Sequence, residues 1–216
     1  MNDERSGNGS DNDKSNIDKL TIGIVLFDGF ETLDVFGPVQ MLGRLPKHKL
    51  VAISQTGAPV TSAQGLTTVV HHDFASAPPL HVLLVPGGMG TRTEIGNSAL
   101  LEFLQRKAGE AAWIASVCTG AALLAAAGVL DGRRATTNKA AFKWVASQSD
   151  KVEWQPRARW VVDDNVLTSS GVSAGIDMAL ALVEQLYDRG QAEEAARVAE
   201  YVWNGDPNDD PFAVSL

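Results

Sequence analysis

Apolar positions in this chain fall into short unbroken runs separated by polar, glycine-rich turns. Residues 20–27 form one such run, rich in β-branched side chains, and read as a buried strand. Residues 82–85 and 114–117 read the same way, and 50–54 form a further short strand. These runs do not alternate with polar residues, so both faces of the strands are expected to be covered. Between them the pattern turns helical: 34–45, with Pro38 placed near the first turn where proline is tolerated, then 97–108, the Ala/Leu-rich stretch after Cys118, 140–146, 173–187 and 191–203. Ser173 is expected to cap its helix, which stops before Gly190. Asp28-Gly29-Phe30-Glu31 is a turn, residues 60–73 suggest a hairpin, and Asp163-Asp164-Asn165 joins two short strands as another.

Strands alternating with helices predict an α/β fold, with a parallel sheet covered on both faces. Chemistry in such folds gathers outside the carboxyl ends of the strands. Three segments fall there: the turn after Phe27, the loop after Val85, and Cys118. No internal repeat or linker interrupts residues 20–204, which are expected to form one domain between tails at 1–19 and 205–216.

Composition narrows the function. Of 216 residues, 44% are hydrophobic, enough for one sizeable core, and the net charge of −8 argues against a duplex-binding surface. A single cysteine excludes an intramolecular disulfide and a cysteine-cluster metal site. No apolar run is long enough to span a bilayer. The first 19 residues are polar and acidic, lack the regions of a signal peptide, and are expected to be disordered in a cytoplasmic protein. Asn8-Gly9-Ser10 matches a glycosylation triplet without a secretory context. Asp11, Asp13 and Ser15 only echo a calcium loop, because Asn16 stands where that loop needs glycine.

Cys118 sits where a strand gives way to a helix. Held in that turn, its thiol would face the free N–H groups and positive end of the helix, which favours thiolate. The competing reading is a small core hydrophobe. Pro86-Gly87-Gly88-Met89-Gly90 lets the backbone approach a ligand, and the N–H groups there and at Thr119 are candidates to hold an anionic atom; glycine clusters are also ordinary turns. Asp34 is either a first-turn acid or a carboxyl beside Cys118, with its pKa raised by the neighbouring negative charge and able to deliver a proton. Glu31 is the rival acid and is expected to face solvent. His48, His71, His72 and His81 supply no base near Cys118 in sequence, and His71 and His72 are expected at the surface. Asp206, Asp209 and Asp210 read as a solvated loop.

These residues resemble the ThiJ/PfpI superfamily, within the class-I glutamine-amidotransferase-like folds. The resemblance runs from about Leu20 to Tyr187. It rests on Leu33-Asp34 through Pro38, Val85-Pro86-Gly87-Gly88, Ser116-Val117-Cys118-Thr119-Gly120, the segment from Ala127-Gly128 to Thr136-Thr137, and Gly171-Val172-Ser173-Ala174-Gly175-Ile176-Asp177. It implies a flavodoxin-like, mostly parallel sheet with helices on both faces and a nucleophile elbow. The branch most resembled is isonitrile hydratase. That implies a small-molecule substrate, hydration of an isonitrile to an N-substituted formamide, and a homodimer without metal or organic cofactor. By motif its site residues would be Cys118 as nucleophile, Asp34 as proton carrier and Thr119 holding the intermediate or water; the loop after Val85 adds Gly87 and Gly88 as the expected substrate- or oxyanion-binding residues. Phe30, Met89, Phe142 and Trp144 are expected around the pocket. The alternatives are glyoxalase- or deglycase-like aldehyde chemistry, or redox sensing in which Asp34 supports an oxidised Cys118. Thr119 stands where PfpI-type proteases carry histidine, so peptidase activity is not expected. Asn138 replaces the histidine that follows the Thr-Thr pair in hydratases, and Ser169-Ser170 replaces a glycine-rich stretch.

Overall fold

The computed structural model describes residues 19–215. The expected N-terminal disorder up to residue 18, the glycosylation triplet and the calcium-loop echo lie outside the described residues. In chain order the elements are β1 (Leu20–Val25), α1 (Thr32–Leu42), β2 (His48–Ile53), β3 (Val60–Thr61), β4 (Thr67–Thr68), β5 (Val82–Val85), α2 (Thr91–Glu94), α3 (Ser98–Glu110), β6 (Trp113–Ser116), α4 (Gly120–Ala126), β7 (Arg134–Ala135), α5 (Phe142–Ala146), β8 (Glu153–Trp154), β9 (Trp160–Asp163), β10 (Val166–Ser169), α6 (Ala174–Leu186) and α7 (Arg189–Val198).

Six strands form the main sheet in the order β2-β1-β5-β6-β10-β9, parallel except for the edge strand β9. The first five follow the flavodoxin-like order. All four residues of β5 are fully buried. Successive side chains of a strand point to opposite faces, so both faces of the sheet are covered. Helices α1, α6 and α7 pack together in one layer, and α2, α3 and α5 each pack on α4 in the other. The register aligns Ile24 with Leu84 and Val85 with Ser116. The segments after β1, β5, β6 and β10 therefore emerge at one edge.

Several boundaries differ from the sequence reading. Helix α1 starts at Thr32, which places Pro38 inside the helix rather than in its first turn. Pro38 has no N–H, so the Asp34 carbonyl four residues earlier loses its helical partner. Helix α7 ends at Val198, not Trp203, because Glu200 turns left-handed at φ 51. The Glu200 N–H donates to the Arg197 carbonyl and the Tyr201 N–H to the Ala196 carbonyl. This is a Schellman stop with glutamate where glycine is usual. Ser173 occupies the cap position of α6, but its side chain caps nothing. Both expected hairpins form, as β3–β4 and β9–β10.

The C-terminal segment is not simply solvated. Asp206 and Asp209 are exposed, but Asp210 is buried, with Oδ2 3.6 Å from Lys139 Nζ. The Lys139 ammonium also donates to Thr136 Oγ1 and the Ala158 carbonyl. Burial pulls Lys139 down to about 8, against the opposing pull of Asp210.

Candidate active site

Cys118 follows β6 and has φ 57. A non-glycine residue in this region carries strain on the order of 1–3 kcal/mol, which its surroundings must offset. They do so on both sides. The Val117 N–H donates to the Val85 carbonyl at 3.0 Å, and the Thr137 hydroxyl donates to the Cys118 carbonyl at 2.7 Å. The turn therefore holds the thiol at the sheet edge, 6% exposed, in the wall of a cavity of about 260 Å³.

Asp34 is fully buried in the first turn of α1 and faces this thiol. Its Oδ2 accepts the Gly87 N–H at 2.9 Å, while Oδ1 has no partner. Burial is the largest influence and lifts its pKa to about 7; the Glu31 charge adds to the rise, and the Gly87 N–H and the Cys118 thiol oppose it. The direction matches the sequence reading, but the leading cause is desolvation rather than a neighbouring charge. For Cys118 the expectation of a favoured thiolate is reversed. Burial, then the Asp34 charge, push the thiol well above its ordinary value, and contacts from Thr119 and Asn138 only partly compensate. The helix behind it has only seven residues. A thiol pushed up by burial therefore stands beside a carboxyl that titrates near neutrality.

The glycine loop acts differently from the expected oxyanion cradle. The Gly87 N–H goes to Asp34, and the Gly88 N–H donates to Thr119 Oγ1 at 3.0 Å. The Thr119 hydroxyl lies within hydrogen-bond distance of the Gly88 carbonyl and of Thr91 Oγ1 as well. That hydroxyl is shared between the loop and the sulfur, which the Thr119 N–H also faces. Gly87 is required for space. A Cβ there would stand 2.5 Å from the Thr119 nitrogen and 3.0 Å from Asp34 Oδ2.

The DJ-1/PfpI family model matches residues 21–185. The chain belongs to the DJ-1/PfpI family. It is 34% identical to isonitrile hydratase of Pseudomonas putida over 200 residues, 90% of this chain and 86% of that protein. It is 31% identical to a deglycase of Pyrococcus abyssi over 120 residues, 55% of this chain and 72% of that protein. Its fold overlays a ThiJ/PfpI family protein from Pseudomonas syringae with a TM-score of 0.79 at 34% identity, covering 89% of this chain and 77% of that one.

The rest of this DJ-1/PfpI site is assembled from distant segments. Glu31, expected to face solvent, lines the cavity, and its Oε1 accepts from Gln64 Nε2 at 2.7 Å. Met89, Arg92, Ala140, Ala141 and Val172 complete much of the wall. Phe30 is wholly buried elsewhere in the core, while Phe142 and Trp144 line an adjoining cavity of about 410 Å³. None of the four histidines lines either cavity. Asn138 Oδ1 accepts the Ala141 N–H at 2.9 Å, which turns the amide NH₂ toward Cys118. A Cβ at Gly171 would stand 3.2 Å from the sulfur and would strike that same amide nitrogen. Asn138 stood out in the sequence only as a departure from the resembled branch. Its contact with the sulfur depends on tertiary packing.

No helix among the described residues is long and apolar enough to cross a membrane.

Proposed function

We propose that the protein hydrates isonitriles to N-substituted formamides, with Cys118 as nucleophile and Asp34 as proton carrier. The observation that carries this reading is a thiol fixed in a left-handed turn against a buried carboxyl that titrates near neutrality. Similarity to isonitrile hydratase supplies the substrate class.

In the first step Asp34 carboxylate takes the thiol proton as Sγ bonds to the terminal isonitrile carbon. Asp34 then delivers that proton to the same carbon, leaving a thioimidate, R–N=CH–S. One nucleophile and one proton carrier are enough for this addition. In the second step Asp34 takes a proton from water as the water oxygen bonds to the carbon, and passes it to nitrogen. The tetrahedral adduct collapses, the C–S bond breaks, and the hydroxyl proton returns through Asp34 to sulfur. The sum is R–NC plus water to R–NH–CHO. The Thr119 N–H and the Asn138 amide stabilise negative charge as it develops on sulfur.

The test tracks loss of an aryl isonitrile and appearance of its formamide, with wild type and Cys118→Ala in parallel. Turnover by the wild type and none above background by the variant is expected. Failure of both proteins would overturn the reading and favour aldehyde chemistry. Selective sulfinate formation under mild peroxide without turnover would point to redox sensing.

A further inference from the structure

The cavity at Cys118 does not end at the thiol. Arg92, Ala140 and Ala141 line both it and the adjoining cavity of about 410 Å³, so one continuous wall leads from the reacting atoms into an annex. The annex also contains Lys139, Lys143 and Trp144. In a chain of net charge −8, three cations around one hollow are a local inversion of sign.

Their partners differ. Lys139 is matched by buried Asp210. Among the described residues, neither Arg92 nor Lys143 has a carboxylate within ion-pair distance. Arg92 is nevertheless held in place. Its guanidinium lies 4.6 Å from the centre of the Trp144 ring, and Nη1 is 3.5 Å from Met89 Sδ. A guanidinium held over an aromatic ring has already lost much of its rotamer freedom and keeps its remaining N–H donors for an anion. Glu31 lines the Cys118 cavity and sets a limit on the negative charge that the joined space accepts. Two cations unmatched among the described residues and one facing carboxylate suit a single negative charge.

The geometry points to a carboxylate-binding subsite in this annex, built on Arg92 and Lys143, for an isonitrile bearing an acid group at the end away from its reacting carbon. The apolar wall of Ala140, Ala141 and Met89 would take the hydrocarbon between the two ends. This proposal rests on the isonitrile reading for the reaction but not for the binding.

The experiment compares 4-isocyanobenzoate with 4-isocyanotoluene, which share a ring and differ in charge. Wild type is expected to favour the acid by at least about tenfold in kcat/KM at low salt, with the gain mainly in KM and a clear loss in 0.5 M NaCl. Arg92→Met should bring the ratio close to one, and Lys143→Met should lower it. A wild-type ratio of one or less, or a ratio that neither substitution changes, overturns the subsite. If neither isonitrile is hydrated, the proposed reaction falls instead. Calorimetric titration with benzoate then decides the subsite. Binding weakened at least about fivefold by Arg92→Met supports it, and absence of binding to the wild type overturns it.

Discussion

Two aspartates in this fold start from the same position and end in opposite roles. Asp34 and Asp177 each sit in the first turn of a helix, and each is fully buried. Asp177 is saturated. Its Oδ2 accepts from Arg159 Nε at 2.8 Å and Nη2 at 2.6 Å, and its Oδ1 accepts from the Tyr201 hydroxyl and the Asn204 N–H. Asp34 has one backbone donor, an empty Oδ1 and a thiol. Burial makes a carboxylate costly, and its partners decide whether it stays ionised. Asp177, with a cation and two further donors, serves as a bolt between α6 and the C-terminal segment. Asp34 lacks them and stays close to the point of protonation, which is what a proton carrier needs.

Asp34→Asn should separate chemistry from stability most widely. Turnover is expected to fall by about 10³-fold, within the range for loss of a positioned acid–base group. The same variant should be more stable than wild type at alkaline pH. The folded pKa of about 7 stands above the ordinary 3.8, so the folded state holds its proton more tightly than the unfolded chain. Asp34 therefore costs the fold almost nothing below about pH 4, where it is protonated in both states, weakens the fold progressively as pH rises to about 7, and does so by a constant amount above that. Three pKa units correspond to about 4 kcal/mol. Melting curves of the two proteins should nearly coincide at pH 4 and differ by on the order of 10 °C at pH 8.5. Equal melting temperatures at pH 8.5 would show that Asp34 is not a destabilised buried acid.

Asp177→Asn should act in the opposite sense. Its Oδ1 can still accept from Tyr201 and Asn204, but buried Arg159 loses its counter-charge. A loss of about 3 kcal/mol is expected, at the lower end for breaking a buried pair because those two acceptor contacts survive. Denaturant titration at pH 7 measures it. Well below its melting point the variant should retain turnover within about threefold. A stability effect under about 1 kcal/mol would remove the contrast between the two aspartates.

How much the sequence revealed depends on the range of the interactions. The β5 run Val82-Leu83-Leu84-Val85 announces a doubly covered strand because its periodicity is local. Cys118 is visible at the strand–helix junction for the same reason. Asp34 stands out as an acid at the head of an apolar helix, although only the fold brings it to sulfur. The Arg159–Asp177 and Lys139–Asp210 pairs were not legible, because charged residues separated by 18 and 71 positions read as surface until the fold buries them. The α7 stop is not legible either, because Glu200 takes the place of the usual glycine. The upward shift of the Cys118 thiol is not legible in the sequence, because a helix dipole can be inferred locally whereas desolvation depends on everything packed around the thiol.

Asn138 gives the smallest expected effect and the finest control. Its amide connects two functions: Oδ1 accepts the Ala141 N–H ahead of α5, and NH₂ faces the sulfur. Asn138→Ala removes both and should lower kcat/KM about tenfold, the value of one neutral hydrogen bond to developing charge. A structural role alone could produce the same loss, so Asn138→Asp is the deciding variant. Aspartate keeps an acceptor for Ala141 but replaces the donor at sulfur with a negative charge, which pushes the thiol further from ionisation. If the donor matters, alkylation of Cys118 by iodoacetamide at pH 8 should slow more in Asn138→Asp than in Asn138→Ala, while the melting temperature of the aspartate variant stays near that of wild type. Wild-type alkylation by Asn138→Asp would assign the residue to the loop alone. Cys118 would then depend on Asp34 and the Thr119 N–H for its activation.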